Sequence, residues 1–332
     1  CILYKGEEPV EYAAILPTRY EHTEGYHIEP VDSISTVLEQ FYASRSLYTR
    51  MRQKSVDLRK IVSTHLERSS KKLDLQLKQL KDTEKRDKYK VYGELLNTYG
   101  YQVTEGAKSV EVPNYYTGEM LTIPLDETLS PLDNAKKYFA RYNKLKRTFE
   151  ALNTQTEETR TEMAHLQTIQ AALAIAESED DLAQIRDELE TYGYIRRKMN
   201  GKKKQKSKSK PFHYRSSDGF DIYVGKNNFQ NDELTFKVAN GNDWWFHAKG
   251  MPGSHVIVKT EGRELPDRTF EEAGRLAGYY SSGRDNEKIE IDYLQRKNVK
   301  KPNGAVAGYV IYYTNYSLTI HPDISGIEKI SE

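Results

Sequence analysis

The stretch VDLRKIVSTHLERSSKKLDLQLKQL, residues 56–80, decides the fold class because its apolar residues mostly recur at steps of three or four. This spacing places them along one face of an α-helix and is typical of a coiled-coil seam. No Gly or Pro occurs between Asp32 and Tyr92, and the seam runs through most of that segment. Its residues are Ile34, Leu38, Phe41, Tyr48, Leu58, Val62, Leu66, Leu73, Leu77 and Leu80. So long a helix cannot bury its seam alone and needs a partner helix.

The same spacing returns after residue 131, so the chain supplies its own partner. The returning seam consists of Leu132, Ala135, Phe139, Tyr142, Leu145, Phe149, Leu152, Met163, Leu166, Ile169 and Leu173. A Thr- and Glu-rich stretch at 154–161 is expected to be a weak point in this seam. We predict an intramolecular antiparallel coiled coil. Its first helix covers residues 32–92, and its returning helix, with a short helix after it, covers 132–198.

Residues 93–131 separate the two helices and are predicted to form a small tip. Seven Gly and Pro residues interrupt the helical pattern there. Two strand-like runs, residues 110–112 and 120–123, flank the turn-forming stretch Asn114-Tyr115-Tyr116-Thr117-Gly118. This arrangement predicts a β-hairpin.

The composition and hydrophobic pattern of the sequence change after residue 198. Residues 199–211 are rich in Lys and Ser, cannot bury a core, and are predicted to be a flexible basic linker, either a solvated tether or an arm that neutralises RNA phosphates nonspecifically. Residues 212–332 contain alternating apolar and aromatic runs, interrupted by one clear helix at 269–281. They predict a compact α+β domain with a mixed sheet and one main helix, so the fold class of the chain is α+β.

Residues 1–31 carry short strand-like runs between prolines and are interpreted as a frayed hairpin, the tail of a truncated N-terminal domain. The segment begins at Cys1, with neither an initiator Met nor a signal-peptide pattern. An alternative interpretation is a mature lipoprotein with Cys1 lipidated, which the following Ile2 and Leu3 suit poorly.

Charge is strongly segregated, although 50 Lys and Arg nearly balance 49 Asp and Glu. Residues 45–90 hold 15 basic and 6 acidic residues, whereas residues 150–190 hold 11 acidic and 2 basic ones. Residues 195–215 hold ten basic residues and no acidic one. The two basic blocks favour a nucleic-acid partner, and an antiparallel hairpin that lays the basic arm beside the acidic arm accounts for the first of them equally well.

Composition also excludes several classes of protein. A single Cys rules out a disulfide framework and a cysteine-rich zinc module. No stretch approaches the roughly 18–20 apolar residues that a membrane span requires.

The segment DWWFHAKGMPGSH, residues 243–255, concentrates the chemistry of the C-terminal domain. A hydrolase would use Ser254 as nucleophile, His247 or His255 as base and Asp243 to orient that base, but the order of these residues fits no established triad. A metal site would use the two His residues and an acid, and it lacks an evident third ligand.

Nucleic-acid binding is the third and favoured hypothesis for this segment. Exposed aromatic rings and His stack on bases, Lys249 and Lys259 neutralise phosphate, and the backbone amides of a tight turn approach the phosphates closely. Alternate positions of a strand also supply core residues, so we expect some of Trp244, Trp245 and Phe246 to be structural and the loop 249–255 to be functional.

Residues 243–256, with Gly225-Lys226-Asn227-Asn228 upstream, resemble the C-terminal NFACT-R domain of the RqcH / NEMF / fibronectin-binding protein A (NFACT) family. The segments 33–35, 41–42, 93–97, 112–116 and 134–144 resemble the coiled-coil and middle region of the same family. The resemblance covers about residues 30–325, and its motifs occur in the order of the predicted segments.

The resemblance implies a function. Members of this family bind large ribosomal subunits that carry a stalled nascent chain, and they recruit tRNA there. Bacterial members promote alanine tailing of the chain's C-terminus, and the lack of an acidic insertion suits a bacterial member. The resemblance further implies that the coiled coil reaches towards the stalk base and that the NFACT-R domain is an RNA-binding module. The family's NFACT-N domain, with its Asp-Arg pair, and its helix-hairpin-helix domain have no counterpart here, so we expect this chain to bind ribosomal RNA without supporting tailing by itself.

The predicted sites follow from the loop and from the tip. The RNA-binding residues are Asp243, Trp244, Trp245, Phe246, His247, Lys249, Pro252, Gly253, Ser254, His255 and Lys259. The ribosome contact at the tip consists of Lys85, Arg86, Lys88 and Lys90. We predict no catalytic residue, metal or cofactor, a cytoplasmic location, and the large subunit, its stalk-base protein and tRNA as partners. The alternative is a surface adhesin that binds fibronectin or fibrinogen.

Overall fold

The computed structural model describes residues 1–6, 8–20, 22–196 and 209–330. Residues 199–208, the greater part of the predicted linker, lie outside the described residues. The chain divides into two compact units. The first combines Cys1–Leu66 with Ala164–Glu332, and the second is Glu67–Met163. No helix in the described part of the chain has an apolar segment that would cross a bilayer.

Three short strands at the start of the first unit form an antiparallel sheet. Strands β1 (Ile2–Lys5), β2 (Glu8–Tyr12) and β3 (Tyr26–Glu29) pair in the order β2-β1-β3. Helix α1 (Ile34–Asp82) follows, and Ile2 is buried with Val37 and Phe41 of that helix. The predicted frayed hairpin is therefore a three-stranded sheet with a small core of its own.

Three helices meet at the base of the coiled coil. Helix α3 (Pro131–Ile175) returns along α1, and helix α4 (Glu179–Thr191) packs on both. The buried cluster consists of Leu58, Val62, Leu166, Ile169, Ala172, Leu173, Leu182, Ile185 and Leu189. Ser178 caps α4, since its side chain accepts from the backbone N–H of Asp181, whose carboxylate accepts from the N–H of Ser178 in return. The seam that the sequence predicts is thus confirmed here, with α4 as a third member.

The C-terminal domain is built on a seven-stranded sheet. Its strands are β6 (Phe212–Arg215), β7 (Asp221–Val224), β8 (Trp244–Ala248), β9 (Val256–Val258), β10 (Ile289–Gln295), β11 (Tyr316–Ile320) and β12 (Glu328–Lys329). They are ordered β11-β10-β8-β9-β7-β6-β12.

All neighbouring strands of this sheet pair antiparallel, where the sequence predicts a mixed sheet. Helix α6 (Asp267–Tyr279) connects β9 to β10, which run in the same direction. The connection passes over β8, which lies between them and pairs with both. No two parallel strands therefore become neighbours.

Both faces of the sheet are covered. Phe246, Ile291 and Leu276 belong to the core on the α6 face. Trp245, Ile257 and Leu294 belong to the opposite core. That core is closed by the π-helical turn Leu234–Val238, which follows α5 (Asn228–Glu233), and by the segment after β10. Because successive strand residues point to opposite faces, adjacent residues of β8 enter different cores.

The second unit contains the tip. Helix α1 ends at Asp82, a 3-10 turn follows, and α2 (Arg86–Tyr99) continues through Gly93, beyond the predicted helix end at residue 92. Gly93 lets the Phe139 ring approach, since a Cβ there would lie 2.9 Å from the ring carbons. The predicted hairpin is confirmed: β4 (Ser109–Pro113) pairs with β5 (Met120–Pro124), and Val112 and Ile123 are buried against α2 and α3.

The predicted weak point of the seam is a polar layer in this unit. Thr156 and Thr159 are buried, and their hydroxyls donate to the carbonyls of Leu152 and Gln155, one turn back on α3. From α1, Ser69 and Gln76 are also buried. Polar side chains thus occupy positions where a coiled coil ordinarily places aliphatic ones.

Thr159→Val is expected to raise the free energy of unfolding by about 0.5–1 kcal/mol, because it buries a methyl group in place of a hydroxyl. The Gln155 carbonyl keeps its helical N–H donor, so no buried group loses its only partner. Thr161→Val is the matched control. The Thr161 hydroxyl also donates to the carbonyl one turn back, but this side chain is exposed. Thr161→Val should therefore change the free energy of unfolding by no more than about 0.5 kcal/mol. Thermal unfolding followed by circular dichroism measures both, and an equal effect of the two variants would contradict the assignment of the layer.

Candidate nucleic-acid interface

The aromatic residues of the predicted site are mostly core. Trp245 and Phe246 have no exposed surface and lie in the two opposite cores of the sheet. Trp244 is half-buried, with its ring 4.8 Å from that of Phe270 in an edge-to-face contact. A base therefore has no access to the rings of Trp245 and Phe246, and these two are the structural members that the sequence analysis expects within the run 244–246.

Buried Asp243 and half-buried Lys259 form an ion pair rather than part of an open RNA surface. The Lys259 Nζ donates to the Asp243 carboxylate at 2.6 Å, and the backbone N–H groups of Thr260 and Asn240 donate to it at 3.0 and 2.7 Å. Burial alone would raise the pKa of Asp243, but these hydrogen bonds hold that pKa below its usual value. Lys259 is thus committed to the fold and is not free to neutralise phosphate.

The two His residues of the 243–255 segment, His247 on β8 and His255 in the loop, are uncharged at neutral pH. Burial lowers the pKa of His247 to about 4 and that of His255 well below its usual value. The Nδ1 of His255 lies 2.8 Å from the hydroxyl of Thr235, and the backbone N–H of His255 donates to Asn231 at 3.0 Å. Neither imidazole supplies a positive charge for a phosphate.

The alternative chemistries find no support in this geometry. Ser254 is buried, and Asp243 is bonded to Lys259, Thr260 and Asn240 rather than to either imidazole, so these residues do not form a Ser-His-Asp relay. Within the described ranges, no group of three His, Cys, Asp or Glu side chains is arranged to hold a metal ion.

The turn of the loop is tied to the end of α6. Gly253 bridges to Ser281, and the Ser282 N–H donates to the Pro252 carbonyl at 2.8 Å. Lys249 is exposed, and its Nζ donates to Glu290 at 2.6 Å. Among the predicted loop residues, Lys249 alone presents a charge to solvent, and the RNA-binding role of the loop stays a prediction.

The four basic residues at the tip differ in availability. Arg86 packs over the Phe149 ring, 3.9 Å from its centroid, and Lys90 lies 3.7 Å from Glu94. Lys85 and Lys88 are exposed, and Lys88 lies 5.2 Å from the Tyr92 ring centroid. Lys85 and Lys88 are the better candidates for a ribosome contact, which remains a prediction.

The motif before α5, by contrast, has a clear structural role. Asn228 is buried, and its Nδ2 donates to the Glu188 carboxylate of α4 and to the Thr168 hydroxyl of α3, each at 2.7 Å. The same Glu188 oxygen lies 2.9 Å from Nε2 of His165. These four side chains, which we call the docking network, join the sheet domain to the helices at the base of the coiled coil.

Neighbouring residues of the motif extend this contact. Lys226 lies 3.3 Å from Asp181, close to the first turn of α4. The side-chain amides of Asn227 and Gln230 donate to the Gln184 Oε1 at 2.7 and 2.8 Å. The sequence analysis missed this role, although the polar run Gly-Lys-Asn-Asn directly before a helix was its visible signal.

Two family profiles match the chain in sequence order. The profile described as NFACT N-terminal and middle domains matches residues 1–208. The profile described as NFACT protein RNA binding domain matches residues 210–312.

Curated relatives agree with these profiles. The Rqc2 homolog RqcH of Streptococcus suis is 38% identical over 300 residues, covering 90% of this chain and 54% of that protein. The Rqc2 homolog RqcH of Bacillus subtilis is 35% identical over 305 residues, covering 91% of this chain and 53% of that protein. The chain thus spans about half the length of these relatives.

A solved structure is also similar. It is that of the C-terminal part of the fibronectin/fibrinogen-binding protein from Streptococcus suis, with a TM-score of 0.67 and 33% identity. The match covers 85% of this chain and 100% of that one.

Lys259→Glu is expected to destabilise the sheet domain by about 3–5 kcal/mol, because it places a second carboxylate against buried Asp243. Lys249→Glu makes the same charge change at an exposed surface pair and should cost no more than about 1 kcal/mol. Both Trp residues of the chain lie on β8, so denaturant unfolding followed by Trp fluorescence reports on this domain. Equal midpoints for the two variants would contradict the structural role of Lys259.

Asn228→Asp should disrupt the docking network, because it removes a donor and brings a carboxylate towards Glu188. The expected loss of stability is at least about 2 kcal/mol, and amide hydrogen exchange of α4 should accelerate. Asn303→Asp, at an exposed position of the same domain, is the control and should leave both quantities unchanged. Unchanged exchange of α4 in Asn228→Asp would show that the network does not hold this helix.

Proposed function

The chain belongs to the NFACT family, and from this premise we propose that it is the ribosome- and RNA-binding part of a ribosome-associated quality-control factor. The observation that carries the proposal is the match of residues 210–312 to the family's RNA-binding domain, within a chain that is 35–38% identical to RqcH proteins over about nine-tenths of its length. The proposed RNA partner is ribosomal RNA of the large subunit.

The activity and partners of the full-length protein are a further part of the proposal. We propose that it recruits tRNA to stalled large subunits in the cytoplasm of a bacterium and promotes alanine tailing of the nascent chain. Lys85 and Lys88 at the tip are the proposed contacts to the region of the stalk base. We assign this chain a binding role without a catalytic step of its own. The segregated charge supports the RNA-binding role, because a protein that neutralises phosphates needs clustered, exposed cations.

An adhesin role is the second candidate, and the name of the similar Streptococcus suis structure favours it. Fractionating cells that express the full-length protein separates the two proposals. A predominantly surface-bound pool would favour adhesion, and a pool that co-fractionates with ribosomes would favour quality control.

The chain is expected to co-sediment with purified large ribosomal subunits, with an affinity that falls at least tenfold between about 50 and 200 mM salt, because phosphate contacts release counterions. Small subunits at the same concentration serve as the control for nonspecific binding to RNA and should retain less protein. Absence of co-sedimentation at low salt, or retention that salt does not weaken, would contradict a phosphate-based ribosome contact in this chain.

A further inference from the structure

The segment after β10 carries an unusual combination of charge and aromatic residues. Residues 296–322 contain no Asp or Glu. They contain four Lys and Arg, all at 296–301, and four Tyr, at 309, 312, 313 and 316. This segment crosses the sheet face opposite α6, where it closes the core around Trp245.

Backbone pairing sorts the side chains of this segment into two sets. Lys300 and Ile311 pair as an isolated antiparallel bridge, with N–H to carbonyl distances of 2.9 and 2.8 Å. Val299, Val310 and Tyr312 pack into the core beneath. The alternate residues therefore face outward, and Tyr309 and Tyr313 are 48% and 81% exposed.

Two of the four basic residues of this segment are uncommitted, since the Arg296 Nε donates to the Thr235 carbonyl. Lys301 is paired with Asp232. Lys297 and Lys300 are exposed and make no ion pair with any described residue. We call the surface formed by Lys297, Lys300, Tyr309 and Tyr313 the lysine–tyrosine face.

Hydrogen bonds hold the backbone of this face in place. The Gly308 N–H donates to Asp232 at 2.9 Å, and the Ala307 N–H donates to the Tyr192 hydroxyl at 2.7 Å. Within the same segment, the Tyr312 hydroxyl donates to buried Asp292 at 2.8 Å. The outward rings therefore stand on a fixed backbone, which limits the conformational entropy lost when a ligand binds.

We propose that the lysine–tyrosine face binds unpaired RNA, with bases stacking on Tyr313 and Tyr309 and phosphates held by Lys297 and Lys300. Stacking needs a base whose face is free, so single-stranded segments are the ligand and regular duplex is not. The proposal rests on the proposed function and names the face and the class of RNA. This face offers RNA the exposed rings and free positive charges that Trp245, Phe246, His247 and His255 of the 243–255 segment do not.

Fluorescence anisotropy of the full chain with a labelled 12-nucleotide single-stranded RNA of mixed sequence tests this face. Lys300→Glu should weaken binding at least fivefold and reduce the dependence of affinity on salt. Lys288→Glu makes the same charge change at an exposed lysine just before β10 and should weaken binding less than twofold. Equal losses for the two variants would overturn the placement of the site.

The tyrosine ring is tested separately. Tyr313→Ala should weaken binding about tenfold with an unchanged salt dependence, and Tyr313→Phe, which keeps the ring, should bind within twofold of wild type. Trp fluorescence of each variant verifies the fold. Full affinity in Tyr313→Ala, or equal affinity of wild type for the same sequence as a duplex, would overturn the stacking mode. Absence of any RNA binding by wild type would instead contradict the proposed function as well.

Discussion

The buried carboxylate of Glu188 is the constraint on which the arrangement of the first unit depends. A carboxylate without exposed surface is tolerated only when hydrogen bonds replace its water, and here His165 and Asn228 converge on one oxygen. These partners come from α3 and from the first residue of α5, so both must be in place for this oxygen to be satisfied; the other oxygen, Oε2, is buried with no hydrogen-bond partner among the described residues. The hydrogen bonds of Glu188 fix the position of α4 on the sheet domain, because a shift of α4 would leave the carboxylate buried without partners.

The same contact extends to the lysine–tyrosine face. Gly308 adopts a φ of +77°, and a Cβ at this position would lie 2.5 Å from Oδ1 of Asn228. A glycine is therefore required at this position both by the backbone conformation and by the close approach of the Asn228 side chain. Tyr192, just past the end of α4, holds the neighbouring Ala307. The helices at the base of the coiled coil thus determine where the outward tyrosines stand.

Periodicity predicted the helices, because a long seam repeats its signal many times along the chain, and turn-forming residues between two strand-like runs predicted the hairpin. The candidate site was harder to predict for a specific reason. The run Trp244-Trp245-Phe246 shows alternation, but alternation cannot reveal that both faces of the sheet are covered, which depends on residues 234–238 and 299–312. Likewise, Lys259 becomes structural only through Asp243, whose proximity is set by the pairing of β8 and β9.

Burial and solvation together decide which part of this domain can meet RNA. An aromatic ring in a core already has its stacking partners, and an imidazole whose pKa lies near 4 is neutral where RNA is bound. A phosphate needs a cation that keeps its charge and is not held by a nearer carboxylate, which excludes Lys259 and favours Lys297 and Lys300. A base needs an exposed ring on a backbone that is held in place, as Tyr313 is two residues after the paired Ile311. The 243–255 segment, in which the sequence concentrates reactive side chains, therefore mainly stabilises the domain. The segment 296–322, which has no acidic residue, carries the exposed cations and rings that RNA recognition requires.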